Sequence, residues 1–206
     1  MEIFDIASFI GTVAFALSGF LLGVRKDLDM MGLFIVSMLT ANGGGVVRDV
    51  LVNRPPGALL DTSAFLIVCG VMLVAIALRL HRNVHFERRA WFVISDSVGL
   101  VAFSITGAMV GIQSDLSPFG IMTLAFITAT GGGIIRDMIV NELPTVFASG
   151  FYGSVALLIG LALWTLDQAE YLSNVTIAIV FVAAFCIRMM AYKYSWHLPK
   201  ISSGRE

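Results

Sequence analysis

The sequence predicts an all-α integral membrane fold of seven transmembrane helices: an inverted repeat of two three-helix bundles plus a seventh helix, with helices 2 and 5 kinked at glycine triplets. Three observations carry this expectation. Of the 206 residues, 58% are hydrophobic and 13% charged, and the mean hydropathy of +0.90 lies far above that of an ordinary soluble domain. Apolar runs of membrane-spanning length recur between short polar separators. The first part of the chain also matches the second at one fixed shift.

A spanning helix needs about 20 mostly apolar residues, and such runs fall near residues 4–24, 30–52, 59–80, 91–112, 117–140, 146–167 and 173–194. The first run follows Met1-Glu2-Ile3-Phe4-Asp5, which lacks the basic start of a cleaved signal peptide, so it is expected to remain as a helix. Arg25-Lys26-Asp27 separates it from the second run, and Asn53-Arg54-Pro55-Pro56-Gly57 separates the second from the third. The charged loop from Arg79 to Arg89 precedes the fourth run. Gln113-Ser114-Asp115, Asn141-Glu142-Leu143-Pro144 and Asp167-Gln168-Ala169-Glu170 divide the rest. One membrane domain, 1–206, therefore holds repeat 1 at 4–80, repeat 2 at 91–167 and a seventh helix at 173–194.

Basic residues in short loops stay on the cytoplasmic side. Arg25, Lys26, Arg79, Arg82, Arg88, Arg89, Lys193, Lys200 and Arg205 fall on one side of the predicted topology, and Arg54 faces them from the other. The N-terminus is thus expected outside and the C-terminus in the cytoplasm. Arg188, one to two turns from the cytoplasmic end of the seventh run, is expected to snorkel. The arginine-rich loop should attract anionic lipid headgroups. A net charge of -1 with scattered basic residues gives no nucleic-acid signature.

The repeat becomes visible at a shift of 88 residues, where Ala-Asn-Gly-Gly-Gly-Val-Val-Arg-Asp at 41–49 falls on Ala-Thr-Gly-Gly-Gly-Ile-Ile-Arg-Asp at 129–137. The same shift pairs Gly11 with Gly99, Phe15 with Phe103, Gly19 with Gly107, Asp27 with Asp115, Thr40 with Thr128 and Asn53 with Asn141. With three spans in each copy, the second must enter the membrane from the opposite side. Inverted copies of this kind pack about a pseudo-two-fold axis in the membrane plane, with the functional site where they meet.

Candidate site residues cluster in the matched segments. Gly43, Gly44 and Gly45 lie near the middle of the second run, and Gly131, Gly132 and Gly133 near the middle of the fifth. Each glycine costs a helix about 1 kcal/mol relative to alanine, so a break or kink is expected, with freed carbonyls turned to a polar path. The alternative is that the glycines let helices approach closely. Thr40, Asn42, Thr128 and Thr130 would line the path. Arg48-Asp49 and Arg136-Asp137 follow the triplets, and charges inside spans are functional candidates by default. The two pairs should lie towards opposite faces, each lining a vestibule or tethering a helix end. Asp96, whose counterpart is Ser8, is expected at a solvated helix start, with an arginine or a cation as the deeper alternative.

The residues present no hydrolase triad, nucleotide loop or cofactor site. Cys69 and Cys186 are expected to be packing residues, and the His81/His85 spacing in a basic loop gives no metal site.

The doubled Gly-Gly-Gly-x-x-Arg-Asp, on the second helix of two three-helix repeats followed by a seventh helix, resembles the prokaryotic trimeric intracellular cation channel family over about residues 4–194. The resemblance implies a homotrimer in the bacterial inner membrane, each protomer with its own pore lined by the glycine-kinked helices, passing monovalent cations and chiefly K⁺. It implies no cofactor. The same sequences are also named a glycine-transporter domain, so the resemblance leaves open a secondary transporter for glycine or a similar small solute.

Overall fold

The computed structural model describes residues 3–80, 85–148 and 151–196, with the side chains of 85–89 and 148 outside the description. His81 and the side chain of His85 therefore lie outside the described residues. Among the described residues nine helices follow in order: α1 Ile3–Arg25, α2 Met30–Leu51, α3 Gly57–Leu60, α4 Ser63–Ala77, α5 His85–Gln113, α6 Pro118–Ile139, α7 Thr145–Ala148, α8 Tyr152–Gln168 and α9 Asn174–Lys193. Among the described residues five segments are long and apolar enough to cross a membrane: α1, α2, residues 90–113 of α5, α6 and α9. The helices α4 and α8 are shorter, at 15 and 17 residues.

The third and sixth expected runs are each divided into a one-turn helix and a longer one. Proline explains both starts, since Pro56 and Pro144 immediately precede α3 and α7 and cannot continue a helix from the preceding loop. Asp61 then turns extended (φ −141°, ψ 172°), and its Oδ1 accepts hydrogen bonds from the Ser63 amide and hydroxyl at the start of α4.

The repeat extends to backbone detail. Asp29 caps α2 by accepting from the Gly32 amide at 2.7 Å, and its counterpart Ser117 caps α6 from Gly120 at 3.2 Å. The turns that close α1, α2, α5 and α6 each place a non-glycine residue at positive φ, at Asp27, Asn53, Asp115 and Asn141, residue types that tolerate this region.

Small residues set the helix spacing. A Cβ on Gly11 would meet the Phe103 ring at 2.7 Å, and one on Gly99 would meet the Phe15 ring at 2.1 Å. The two rings pack edge to face, 5.2 Å apart at 67°. These contacts exchange under the 88-residue shift, and α5 numbers fall as α1 numbers rise, so α1 and α5 run antiparallel. Gly19 lies against the Ser37 backbone and Gly107 against that of Ala125, each 2.8 Å from a virtual Cβ, which seats α2 on α1 and α6 on α5 in the same way. Outside the repeat, α9 lays Ile177 and Ala184 onto Val101, Ile105, Val155 and Ile159 of α5 and α8.

The expected break at the triplets is absent. Both α2 and α6 are helical throughout, across Gly43–Gly45 and Gly131–Gly133. The glycines serve close approach instead: a Cβ on Gly44 would lie 2.0 Å from the Thr128 carbonyl oxygen, and one on Gly132 would lie 2.1 Å from that of Thr40. Packing of one backbone on the other replaces the freed carbonyls that propensity alone suggested.

Candidate functional site

The α2–α6 crossing organises the charged residues. Contacts at 40 with 132 and at 44 with 128 exchange under the repeat shift, and the two helices run antiparallel through them. Arg48-Asp49 and Arg136-Asp137, each a turn beyond its triplet, therefore lie on opposite sides of the crossing. The hydroxyls near the triplets are used locally. Thr40 donates to the Val36 carbonyl at 2.6 Å, Thr128 to Leu124 at 2.6 Å and Thr130 to Phe126 at 2.7 Å, while the Asn42 amide donates to Met38 at 3.0 Å.

Both aspartates stitch their helix end to the loop that follows. Asp49 Oδ1 accepts from Arg48 Nε at 2.9 Å, and its Oδ2 accepts from the Gly57 amide at 3.0 Å. Asp137 Oδ1 accepts from Arg136 Nε at 2.8 Å, and its Oδ2 accepts from the amide and hydroxyl of Thr145 at 2.8 and 3.0 Å. Thr145 is the counterpart of Gly57. Each arginine then crosses to the other repeat: Arg48 Nη1 reaches Thr106 Oγ1 at 3.5 Å, and Arg136 Nη1 donates to Ser18 Oγ at 2.6 Å. Each also sits over a phenylalanine, Phe4 at 5.9 Å for Arg48 and Phe92 at 4.8 Å for Arg136. Ser18 corresponds to Thr106, and Phe4 to Phe92.

The two ends differ in how completely the arginine is held. Asp96 lies eleven residues into α5, fully buried, and pairs with Arg136 Nη1 at 2.5 Å. The expectation of a solvated helix start is thereby corrected: α5 begins at His85, well before the apolar run, which carries Asp96 into the interior. Arg136 thus answers to two carboxylates and is itself completely buried. The position facing Arg48 is Ser8, so Arg48 has one carboxylate, its own neighbour Asp49. Ser8, Thr12, Asn42, Gly45, Arg48 and Asp49 line a cavity of about 420 Å³ at this end, with Asp5, Arg54 and Asp61 at its margin.

The opposite end holds a smaller cavity of about 220 Å³, lined by Phe92, Asp96, Asp137, Glu142 and Arg188 among others. The two cavities share no lining residue. Arg188 does not snorkel: it is buried, with its guanidinium 4.9 Å over the Tyr152 ring. Glu142 closes the rim by pairing with Arg25 at 2.5 Å and Lys26 at 2.8 Å. Partial burial pushes the Glu142 carboxyl up, but Lys26 and Arg25 outweigh it and hold the group below its ordinary value. The corresponding residues at the first end are Arg54, Gln113 and Ser114, which cannot form this pairing.

Sequence reasoning located the four charged residues and missed their supports. Ser18 with Thr106 and Phe4 with Phe92 were available as further matches at the repeat shift. Tyr152, Arg188 and the Arg25–Glu142 pairing have no counterpart at the repeat shift and leave no repeat signal. Cys186, expected in packing, is exposed on α9. Among the described residues no group of three or more His, Cys, Asp and Glu side chains is placed to hold a metal ion.

Comparison with known proteins reproduces the duplication. A family model described as glycine transporter matches residues 5–80 and again 93–168, the same shift of 88. The UPF0126 membrane protein YvgT of Bacillus subtilis is 29% identical over 199 residues, covering 96% of both chains. A UPF0126 membrane protein of Vibrio cholerae is 30% identical over 91% of this chain and 77% of its own length, and the inner membrane protein YadS of Escherichia coli is 29% identical over 92% and 90%. Among solved structures, a prokaryotic TRIC channel in 0.5 M KCl superposes with a TM-score of 0.88 at 31% identity, over 95% of this chain and 98% of that one. The TRIC trimeric intracellular cation channel orthologue from Rhodobacter sphaeroides gives 0.87 at 26% identity, over 95% and 100%.

Proposed function

We propose that this chain, which belongs to the trimeric intracellular cation channel family and carries that family's glycine-transporter domain twice, is a membrane channel for small monovalent cations, chiefly K⁺. The observation that carries the reading is the pair of polar cavities at opposite ends of the α2–α6 crossing, the first lined by Arg48 and Asp49 and the second by Asp96 and Asp137, the two carboxylates that hold the buried Arg136. Charged groups are costly in a membrane interior and are retained there where they border an ion pathway. In this reading all seven long helices span the bilayer, the two copies are inverted, and each protomer of a homotrimer has its own path between α2 and α6. The N-terminus lies outside and the C-terminus in the cytoplasm of the inner membrane, in keeping with the basic side formed by Arg25, Lys26 and Arg79.

Selectivity follows from the carboxylates that face the cavities. Asp5, Asp49 and Asp61 attract cations at one end, and Asp96, Asp137 and Glu142 at the other. The arginines beside them keep permanent anion-rejecting acid clusters from becoming permanent cation traps. Gly44 and Gly132 hold α2 and α6 in contact between the cavities, so conduction requires these helices to part there. Kinking at the triplets is the movement that glycine makes available.

The second reading is a carrier for glycine or a similar small solute, favoured by the description of the family model and by the two cavities, which share no wall as alternating access requires. Purified protein in planar bilayers under a KCl gradient, with glycine uptake measured on the same preparation, separates the two. Unitary currents reversing near the potassium potential are the expected result; saturable glycine uptake without unitary currents would replace the channel with the carrier.

A further inference from the structure

The seventh long helix, α9, has no partner in the first copy, and its absence there leaves a groove of defined shape. In the second copy α9 covers Val101 and Ile105 of α5 and Val155 and Ile159 of α8, all four fully buried. Shifted by 88 residues, these positions are Val13, Leu17, Ile67 and Val71, which are only partly buried and line an apolar groove of about 560 Å³ between α1 and α4. The same surface that needs a helix in one half of the molecule is bare in the other.

Two further features fit a helix to this groove. Gly70 is one of its lining residues, and a Cβ added there would meet nothing within 4 Å. Unlike the glycines that hold α1, α2, α5 and α6 together, it permits no close helix approach among the described residues. A glycine costs a helix interior about 1 kcal/mol relative to alanine, and a small residue is what lets another helix approach closely in a membrane. The chain also has a second unpaired apolar surface, the outer stripe of α9 formed by Val175, Ile179, Val182, Cys186 and Met190 at helical spacing. Gly70 is the midpoint of α4, and Cys186 lies within one turn of the midpoint of α9, so the two surfaces are available at a common depth.

We propose that the α1–α4 groove receives the outer stripe of α9 from a second copy of this chain, over the surface equivalent to the one that α9 covers on α5 and α8 within its own chain, with the covering helix reversed in direction because the two copies are inverted. Groove and stripe are different surfaces of one protomer, so the contact is head to tail and closes into a ring when the rotation permits. The inference rests on the trimeric reading above and assigns its interface. Each protomer's first copy then acquires from its neighbour the covering helix that its second copy has by covalent connection.

The test uses the full chain in mild detergent and in nanodiscs. Gly70→Trp projects an indole into the groove from a position where a Cβ meets nothing within 4 Å, so it is expected to leave the protomer folded while weakening assembly about tenfold or more, read by native mass spectrometry and light scattering. In a Cys69→Ala background, Gly70→Cys and native Cys186 are expected to be joined between protomers by a bismaleimide, with the adduct lost in Cys186→Ala. A wild-type protein that is monomeric would overturn both the trimeric reading and this interface. A wild-type trimer that Gly70→Trp leaves intact, with no cross-linked product, would overturn the interface alone. Loss of bound phospholipid or of a separate apolar polypeptide from Gly70→Trp, with the trimer retained, would assign the groove to that occupant instead.

Discussion

Alanine placed at successive residues of one triplet should have opposite effects, because the structure gives each glycine a different reason to be there. At Gly44 the new Cβ would lie 2.0 Å from the Thr128 carbonyl oxygen, whereas ordinary contact begins at 3.4 Å. Helix α2 and helix α6 would have to part locally by about 1.4 Å. The carbonyl is backbone and cannot swing aside, so the strain falls on both helices; overpacking of this kind costs about 1–3 kcal/mol, and the gap opened around it forfeits further contact energy. At Gly45 the Cβ would meet only Arg48 Nη2 at 3.8 Å. That is an ordinary contact, and the helix gains up to about 1 kcal/mol from replacing glycine. Gly44→Ala and Gly45→Ala should therefore differ by roughly 2–4 kcal/mol, on the order of 5–10 °C in unfolding temperature for a chain of this size. Thermal unfolding of both variants in the same detergent measures it, and single-channel recording of both should show altered conductance for Gly44→Ala alone. Equal stability and equal currents would refute the close-approach account of the triplet.

The repeat supplies the matching set in α6: Gly132→Ala, with 2.1 Å to the Thr40 carbonyl, should resemble Gly44→Ala, and Gly133→Ala, whose nearest atom is the Tyr152 hydroxyl at 3.4 Å, should be the milder change, as thermal unfolding will report. Asp96→Asn removes one of the two carboxylates that hold the fully buried Arg136, and breaking a buried pair from one side costs about 3–5 kcal/mol, so it should lower the unfolding temperature far more than Ser8→Ala at the corresponding position. Ser8→Asp should give Arg48 the second carboxylate that Arg136 already has; a lower open probability in bilayer recordings is expected, and unchanged gating would count against Arg48 as the more weakly held arginine. Glu142→Gln removes the rim pairing with Arg25 and Lys26. Because the folded-state carboxyl lies below its ordinary value of 4.5, its contribution is present above that pH and is lost as the pH falls through the folded value; the difference in unfolding temperature between wild type and Glu142→Gln should shrink in acid and be small throughout, as exposed pairs are.

The fold was legible because membrane helices are written in long apolar runs and because the duplication survives as a fixed shift. The expected run 30–52 became Met30–Leu51 and 117–140 became Pro118–Ile139, since Asp29, Ser117, Asn53 and Asn141 mark the ends by chemistry that acts within a few residues. The triplets were misread as breaks for a related reason. Local propensity states what three glycines cost an isolated helix, and it contains nothing about Thr128 or Thr40, whose carbonyls lie far away along the chain from Gly44 and Gly132 and need the missing Cβ to fit. Asp96 failed similarly: hydropathy marks where the apolar run begins, at about residue 91, but α5 begins at His85, and depth in the helix decides whether a carboxylate meets water or Arg136. Arg188 read as a snorkelling residue because its position along α9 was known and its facing was not.

The differences between the copies say more about mechanism than their likeness does. Both arginines have the same neighbour carboxylate, a hydroxyl at the same cross-repeat position and the same kind of aromatic ring, so one arrangement is used at both ends of the crossing. Around Arg136 the second copy then gathers Asp96, the Tyr152–Arg188 contact brought by α8 and α9, and the Glu142 pairing at the rim. Around Arg48 there is the larger cavity, Ser8, and a hydroxyl at 3.5 Å. Displacing Arg136 means separating it from two buried carboxylates, each separation costing a few kcal/mol, whereas Arg48 can turn into its cavity while keeping Asp49. The barrier to motion is therefore lower at the Arg48 end by an amount comparable to one buried ion pair, about a hundredfold or more in rate at 3 kcal/mol. If the chain conducts as proposed, two similar halves thus acquire a direction: the Arg48 end is expected to yield first, and the Arg136 end to set how long conduction stays shut.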